Sequence, residues 1–306
     1  MTNFLHLTIL LKIDVPMPNA KIRGRVSKTR KEGTEMKILV AGLGLMGGSM
    51  AKSLKRAGYS VDGFDRREVL SLAVKEGAIA AVAEDFSVYD IVFVALPPEA
   101  AIRFIDETRF AQNAVVADIC GVKGEVESAV YAKPRNFRYV GCHPMTGKEV
   151  SGYRNSAEDL FDGASMIVTE NEKTDEDAVR LLEDIFVKMG FGLIRHCTAQ
   201  YHDKKIAYTS QLAHVVSNAY VKSRTADGYV GFTGGSFQDM TRIAGVDEKV
   251  WTQLYFYNRE NLAEELETLL FELGKYADAL RRGDREAFAA LLKEGRERKE
   301  KLDREK

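Results

Sequence analysis

The strongest constraint on the fold is a glycine-rich turn close to residue 42. An aliphatic run at 38–41 precedes Gly42-Leu43-Gly44-Leu45-Met46-Gly47, and a segment with helical spacing follows it. In a strand–turn–helix unit the first glycine permits a tight turn and the second lets the backbone approach a pyrophosphate. The third lets helix and strand pack closely. The spacing G-x-G-x-x-G therefore predicts a dinucleotide site, although glycine turns are common for other reasons.

An acidic residue strengthens this prediction. Asp65 follows Gly42 at the end of the next predicted strand, where a carboxylate can bind the ribose 2′-hydroxyl. It would repel a 2′-phosphate, so we expect NAD as the cofactor. Arg66 and Arg67 follow at once. Either could accept that phosphate, which leaves NADP open, or be an exposed charge at the start of a helix.

The pattern between the turn and residue 197 predicts the fold class. Seven short aliphatic runs, at 38–41, 60–65, 91–95, 114–118, 139–141, 166–169 and 192–195, alternate with segments of helical spacing. Such alternation builds a mostly parallel sheet with helices on both faces. We therefore expect an α/β Rossmann-type, doubly wound sheet over 36–197.

From residue 198 the character changes to long helical segments, at about 199–226, 237–245, 249–282 and 286–301. This predicts an all-helical second domain over 198–306, which ends in a highly charged tail. One of its helices is long enough to cross a dimer.

The segment 1–35 differs from the rest. It shows no sustained period, contains Pro16 and Pro18, and carries a charge of +4, whereas the segment 36–306 carries −5. The codons for Lys31-Glu32-Gly33 can spell the purine run that bacterial ribosomes recognise before a start codon. We expect residues 1–35 to be a disordered arm, or a translated leader outside the native protein, with Met36 as the true start.

Composition excludes several classes of protein. The 306 residues carry a net charge of −1, so a basic nucleic-acid footprint is missing. The three cysteines show no C-x-x-C spacing, which argues against a disulfide framework or a zinc site and fits a reducing cytoplasm. No apolar run reaches the roughly 18 residues of a membrane span. We expect a cytoplasmic protein without a metal.

Four polar residues are candidates for chemistry. His143 lies in Gly141-Cys142-His143-Pro144-Met145-Thr146-Gly147, near a strand end, where a histidine can take a proton at neutral pH. Ser210 and His214 share one helical face, and Arg242 follows a glycine pair at 234–235, in a place suited to binding a carboxylate. By position alone, His143 could equally be a structural loop residue, His214 a helix histidine and Arg242 a surface ion-pair residue.

Together these segments resemble the prephenate/arogenate dehydrogenases of tyrosine biosynthesis. The resemblance runs from about 36 to 280, and its most specific parts are H-P-M-x-G at 143–147 and G-G-x-F-x-D-x-T-R-I-A at 234–244. It implies a nucleotide-binding domain joined to a helical dimerisation domain, with the active site between them, and a homodimer.

The resemblance also implies roles for individual residues. His143 would bind the ring hydroxyl of prephenate and take its proton, with a pKa near 6–7. Arg242 would hold a substrate carboxylate, and Ser210 and His214 would lie beside the substrate. Gly235 would lie in a loop that reaches the neighbouring subunit's site. Gly121 stands where many members have a serine that orients the histidine, so that support must come from another group, for which Lys123 and water are candidates.

The reaction implied is NAD-dependent oxidative decarboxylation of prephenate to 4-hydroxyphenylpyruvate. The first alternative is arogenate as substrate. A β-hydroxyacid dehydrogenase shares the two-domain plan but uses a catalytic lysine, and Lys204, Lys205 and Lys222 lack the motif around it. A non-catalytic NAD-binding sensor is a third alternative, although it would need neither His143 nor Arg242.

Overall fold

The computed structural model of the chain describes residues 36–304. The expectation for residues 1–35 lies outside the described residues. The strands are β1 (Ile38–Ala41), β2 (Val61–Phe64), β3 (Ile91–Val94), β4 (Val115–Asp118), β5 (Arg138–Met145), β6 (Ser165–Thr169) and β7 (Leu193–Cys197). The first helices are α1 (Leu45–Arg56), α2 (Arg67–Lys75), α3 (Pro98–Glu107), α4 (Gly124–Tyr131) and α5 (Glu176–Met189).

After β7 the described chain is helical. Its helices are α6 (Ala199–Ile206), α7 (Leu212–Tyr220), α8 (Gly235–Thr241), α9 (Glu248–Phe256), α10 (Arg259–Arg282) and α11 (Arg285–Asp303), and a π-helical turn (Ala207–Gln211) joins α6 to α7. Within residues 36–304, no helix combines the length and apolarity that a bilayer crossing requires.

The seven strands form one sheet in the order β2-β1-β3-β4-β5-β6-β7. β1 to β5 run parallel, whereas β6 is antiparallel to β5 and β7 is parallel to β6. Because β1 lies between β2 and β3, the chain order reverses beside its carboxyl end, where α/β sheets bind nucleotides. The Rossmann-type sheet followed by helices confirms the predicted fold class.

Both faces of the sheet are buried. β1, β3 and β4 have no exposed residue, as expected for central parallel strands covered on both sides. One core contains the α1 and α5 residues Met50, Leu54 and Leu182, and the other contains Ile105 of α3 and Val126 of α4. α5 starts at an Asp175 side chain that accepts from the Ala178 N–H and ends at Gly190, where φ is +100°.

β5 is longer than the sequence pattern indicates, and this changes the setting of His143. Its parallel pairing with β4 ends at Gly141, but antiparallel pairing with β6 continues to Met145 and places His143 opposite Ile167. The predicted strand ended at 141 because the aliphatic run in the sequence ends there. His143 therefore lies within a paired strand rather than in a loop after one.

Two predicted helices also differ from those observed. The segment at 199–226 is helical only to Tyr220, and the segment at 249–282 breaks at Asn258. The Asn258 side chain donates from Nδ2 to the Asp203 carbonyl and to Gln211 Oε1, both at 2.8 Å. These side-chain hydrogen bonds hold the junction between α9 and α10. Asn is favoured at such helix ends and disfavoured in helix interiors, because its side chain competes for backbone hydrogen bonds.

Candidate active site

The glycine turn after β1 has the geometry of a nucleotide cradle. Gly42 has φ +90°, and a Cβ there would lie 2.5 Å from the Ala95 carbonyl oxygen. A Cβ on Gly47 would lie 1.8 Å from the Gly42 carbonyl oxygen, so only glycine lets α1 pack this closely. Gly44 faces open space, and the first turn of α1 holds no acidic residue. The amino end of α1 can therefore accept a pyrophosphate.

Asp65 follows β2 beside this turn. Its Oδ2 accepts a hydrogen bond from the Leu43 N–H at 2.5 Å, and its Oδ1 accepts one from the Arg66 N–H at 2.6 Å. Its side chain is 16% exposed, whereas that of Arg66 is 83% exposed. The carboxylate is thus held against the glycine turn, with Leu45 and Met46 beginning α1 just beyond it.

A cavity of about 560 Å³ lies beyond the carboxyl ends of β4 and β5. The sheet side contributes Gly121, His143 and the loop 146–151, and the helical segments contribute the other wall. The side chains that matter below are His143, Glu149, Ser210, His214 and Trp251. Three predicted residues, His143 on the sheet side and Ser210 and His214 on the helical side, therefore line the same cavity.

Beneath the cavity is a fully buried ion pair. The side chains of Asp118 and Lys123 are both 0% exposed and contact each other through Oδ1 and Nζ. Lys123 also donates to the Cys142 carbonyl oxygen at 2.6 Å, and Tyr139 donates its hydroxyl to Asp118 Oδ2 at 2.5 Å. Several bonds therefore hold each charge, as burial requires. Lys123, a candidate support for His143, is instead committed to Asp118 and Cys142.

The side chain that contacts His143 is His202 of α6. Nδ1 of His143 lies 2.8 Å from Nε2 of His202, and Nδ1 of His202 lies 2.7 Å from Asp203 Oδ1. Asp203 also accepts the N–H groups of Lys123 at 2.9 Å and Gly124 at 2.8 Å, at the start of α4. A histidine–histidine–aspartate chain thus leads from the cavity to a helix terminus.

Burial sets the charge of these histidines. It lowers the pKa of His143 well below 6.5, and repulsion from the Lys123 ammonium, and from His202 whenever that ring is protonated, acts in the same direction. It also lowers the pKa of His202, against the opposing effect of the Asp203 carboxylate. Both side chains are therefore neutral near pH 7. The sequence-based expectation of a pKa near 6–7 for His143 is too high for this setting.

The helical wall carries the other polar groups of the cavity. Nδ1 of His214 donates to the Ile243 carbonyl oxygen at 3.0 Å, which leaves Nε2 as an acceptor, and the ring packs on Trp251 with centroids 4.0 Å apart. Burial lowers the pKa of His214 too. Ser210 lies in the π-helical turn (Ala207–Gln211), a feature that is frequent at functional sites.

Two predicted substrate residues lie outside the cavity lining. Arg242 follows α8, is 64% exposed and pairs with Glu149, which does line the cavity. Gly235 is the first residue of α8 rather than part of a loop, and has open space around it. At Gly121, an added Cβ would lie 3.8 Å from Nε2 of His143, so that ring nitrogen is on the Gly121 side of the cavity.

The sequence analysis missed His202 and Asp203. The spacing gave no signal, because His202 precedes Ser210 by eight positions and His214 by twelve, and such steps drift off one face of a helix with 3.6 residues per turn. The adjacent aspartate is a common partner for a histidine that must keep one tautomer.

Two protein-family models match this chain. The model for the prephenate dehydrogenase nucleotide-binding domain matches residues 50–194, and the model for the prephenate dehydrogenase dimerization domain matches residues 198–294. Together they cover most of the described chain; the first ends within β7, and the second begins just before α6.

Individual relatives agree with the family models. The prephenate dehydrogenase of Bacillus subtilis is 26% identical over 281 residues, which cover 87% of this chain and 76% of that protein. The cyclohexadienyl dehydrogenase of Zymomonas mobilis is 25% identical and covers 84% of this chain and 92% of its own length. The solved prephenate dehydrogenase of A. aeolicus, bound to hydroxyphenyl propionate and NAD+, superposes with a TM-score of 0.77 at 27% identity, covering 89% of this chain and all of that one.

Proposed function

The chain belongs to the prephenate dehydrogenase family, and we propose that it oxidatively decarboxylates prephenate to 4-hydroxyphenylpyruvate with NAD as oxidant. The observation that carries this proposal is the position of His143. It is a neutral histidine on the floor of a cavity that both the sheet and the helical segments line. The same family assignment argues against a β-hydroxyacid dehydrogenase.

The residues around the glycine turn fit NAD. The open space at Gly44 and the amino end of α1 suit the pyrophosphate, and Asp65 lies where a ribose hydroxyl can reach its carboxylate. When bound, NAD supplies the acceptor for a hydride. Asp65 favours NAD over NADP because a 2′-phosphate would bring negative charge against it.

His143 performs the proton chemistry. As hydride leaves the hydroxyl-bearing ring carbon, Nε2 of His143 takes the hydroxyl proton, and the carbon–oxygen bond gains double-bond character. The ring carboxylate then leaves as carbon dioxide, and its bonding electrons make the ring aromatic. His143 returns the proton to the phenolate oxygen. A histidine that is neutral at working pH suits this role.

Charged and polar groups at the cavity entrance suit a dianionic substrate. The Arg242 guanidinium pairs with Glu149, and a substrate carboxylate can replace Glu149 in that pair. The planar guanidinium favours bidentate binding of the carboxylate. Ser210 and Nε2 of His214 supply further polar contacts, and Trp251 supplies an apolar face.

The direct test is prephenate-dependent formation of NADH by the purified chain, followed by its absorbance. We expect turnover with NAD, and 4-hydroxyphenylpyruvate and carbon dioxide in equal amounts. NAD binding without turnover would contradict the proposal and favour a sensor, and oxidation of 3-hydroxyacids instead would contradict it in favour of the β-hydroxyacid class.

Arogenate is the second candidate substrate, because relatives named cyclohexadienyl and arogenate dehydrogenase match the chain. Prephenate and arogenate differ only in a keto or amino group on the side chain. Comparison of kcat/KM for the two, each with NAD and with NADP, decides between them. A preference of more than tenfold for arogenate would overturn the assignment to prephenate.

The helical segments also support a homodimer. The matching family model describes a dimerization domain, and α10 exposes large apolar side chains: Leu270, Phe271, Leu273 and Leu280, each more than half exposed. Apolar surface of this kind marks an interaction site. Sedimentation analysis should give twice the chain mass, and a monomer at micromolar concentration would contradict the proposal.

A further inference from the structure

The contact between His143 and His202 contains information about the position of a proton. A neutral imidazole has one N–H and one bare nitrogen, so a bond between two neutral rings needs a donor on one and an acceptor on the other. Nδ1 of His143 and Nε2 of His202 are 2.8 Å apart. Which of them donates depends on what the far side of His202 contacts.

Asp203 decides this. Its carboxylate accepts the N–H groups of Lys123 and Gly124, and Oδ1 also lies 2.7 Å from Nδ1 of His202. An ionised carboxylate only accepts hydrogen bonds, so Nδ1 of His202 must carry the proton. Nε2 of His202 is then the bare nitrogen, and it accepts a hydrogen bond from Nδ1–H of His143.

We propose that His202 and Asp203 are positioning residues, which hold His143 in the tautomer with its proton on Nδ1 and its Nε2 lone pair toward the substrate hydroxyl. This inference rests on the proposed function. It also identifies a support for His143 in a chain that has Gly121, without a side chain, on the cavity side of the ring.

The same chain of contacts accommodates the charge that appears during the reaction. When Nε2 of His143 takes the hydroxyl proton, the ring becomes a cation that keeps its Nδ1–H bond to His202. The negative charge of Asp203 lies at the far end of these contacts and stabilises the positive charge that the His143 ring acquires. No proton has to pass from His143 to His202, and the proton on Nε2 stays available to the phenolate oxygen.

A purely structural role is the alternative. His202 is 0% exposed at its side chain, and Asp203 accepts from two backbone N–H groups at the start of α4. Both residues would then affect folding stability alone, and the tautomer of His143 would not depend on them. Tests must therefore separate the position of the proton from stability.

Two substitutions of His202 each keep one of its two hydrogen bonds and remove the other. In His202→Gln, the amide oxygen can occupy the place of Nε2 and accept from His143, while the contact with Asp203 is lost. In His202→Asn, the shorter amide can occupy the place of Nδ1 and donate to Asp203, while the acceptor for His143 is lost. We expect kcat of the Gln variant within about tenfold of wild type and that of the Asn variant lower by about 10²–10³.

KM and the Kd for NAD should stay unchanged in both variants, because His202 does not line the cavity. His196 is the matched control: it is partly exposed on β7, where it contacts Glu170 and Glu183. His196→Gln and His196→Asn should keep wild-type kcat. Equal kcat in the two His202 variants, or losses that follow Tm alone, would overturn the proposal.

The tautomer itself can be measured without turnover. The chain has five histidines, so nitrogen-15 labelling and long-range proton–nitrogen correlation spectra can resolve each ring, with His143 assigned by its absence in His143→Asn. We expect the proton of His143 on Nδ1 in the wild-type protein and in His202→Gln, and a mixture of tautomers in His202→Asn. A proton on Nε2 of wild-type His143 would overturn the proposal.

These two kinds of measurement separate the inference from the proposed function. If prephenate is not turned over but the spectra show Nδ1–H for His143, the positioning of the ring stands and the substrate assignment fails. If prephenate is turned over but the spectra show Nε2–H, the function stands and the positioning role fails.

Discussion

The cavity has two regions with opposite physical character. The floor consists of His143, which is partly buried and lines the cavity, together with the buried residues Asp118, Lys123, His202 and Asp203 behind it. The exposed rim consists of Glu149 and Arg242. On the floor, Lys123 contacts both Asp118 and the Cys142 carbonyl, and its side chain has no solvent exposure. On the rim, Arg242 and Glu149 are 64% and 43% exposed and pair with each other.

This difference divides the work of the site. On the floor, low dielectric makes each charge and proton position expensive to change, so the protonation state of His143 is set before substrate arrives. On the rim, water screens the ion pair, and its net contribution to stability is about 0–1 kcal/mol. Arg242 can therefore exchange one carboxylate for another at little cost.

The largest expected effect is on the floor. His143→Asn removes the proposed proton acceptor, so kcat should fall by roughly 10²–10⁴. The Kd for NAD should stay near the wild-type value, because His143 is far from the glycine turn in sequence and its hydrogen-bond partner is His202 of α6. Steady-state kinetics and NAD titration check both. Unchanged turnover would refute the assignment of His143.

Breaking the buried ion pair should affect stability rather than binding. Lys123→Met leaves Asp118 buried without its cation and should lower the free energy of unfolding by about 3–5 kcal/mol. Lys133→Met is the matched control, since Lys133 pairs with Asp106 at the surface and is 55% exposed. The control should cost less than about 1 kcal/mol in urea unfolding. An equal decrease in the free energy of unfolding in both variants would contradict the greater importance of the buried ion pair.

On the rim we expect an effect on binding. Arg242→Gln removes the charge that we propose holds a substrate carboxylate, so KM should rise roughly 10- to 100-fold while kcat changes less. Arg281→Gln, on α10, removes a comparably exposed ion pair with Asp278 and should leave KM unchanged. A large loss of kcat in Arg242→Gln with constant KM would place Arg242 in the chemistry instead.

The most gradual effect concerns pH and stability. The pKa values of His143 and His202 are lower in the folded protein than in the unfolded chain, because the fold shields both rings from water. Below about pH 6.5 the unfolded chain binds protons that the folded protein does not, so stability should fall as pH falls, by up to about 1.4 kcal/mol per pH unit for each ring. Urea unfolding between about pH 7 and pH 5 checks this. The slope should be shallower in His202→Gln.

The sheet could be predicted from the sequence because its signals are local. Each central strand is a short aliphatic run, and the turn at Gly42 tolerates no side chain. The extension of β5 to Met145 could not be predicted in this way. It depends on antiparallel pairing with β6, which begins only at Ser165 and carries no mark of its direction.

The candidate site was predictable only in part. His143, Ser210 and His214 each occur in a recognisable motif, and they line one cavity. Arg242 was expected beside the substrate but pairs with Glu149 at the rim. His202 was overlooked because a buried helix histidine is common, and nothing local shows that its ring meets that of His143.

By itself, the sequence determined the glycine cradle, the α/β sheet followed by helices and the residue types available for acid–base chemistry. These follow from short-range sterics and hydrophobic periodicity, which act over short stretches of chain. Only the tertiary structure decided the protonation of His143. The pKa and tautomer of that ring depend on burial and on His202 and Asp203, which are distant in the chain and reach it only when α6 packs against β5 and α4.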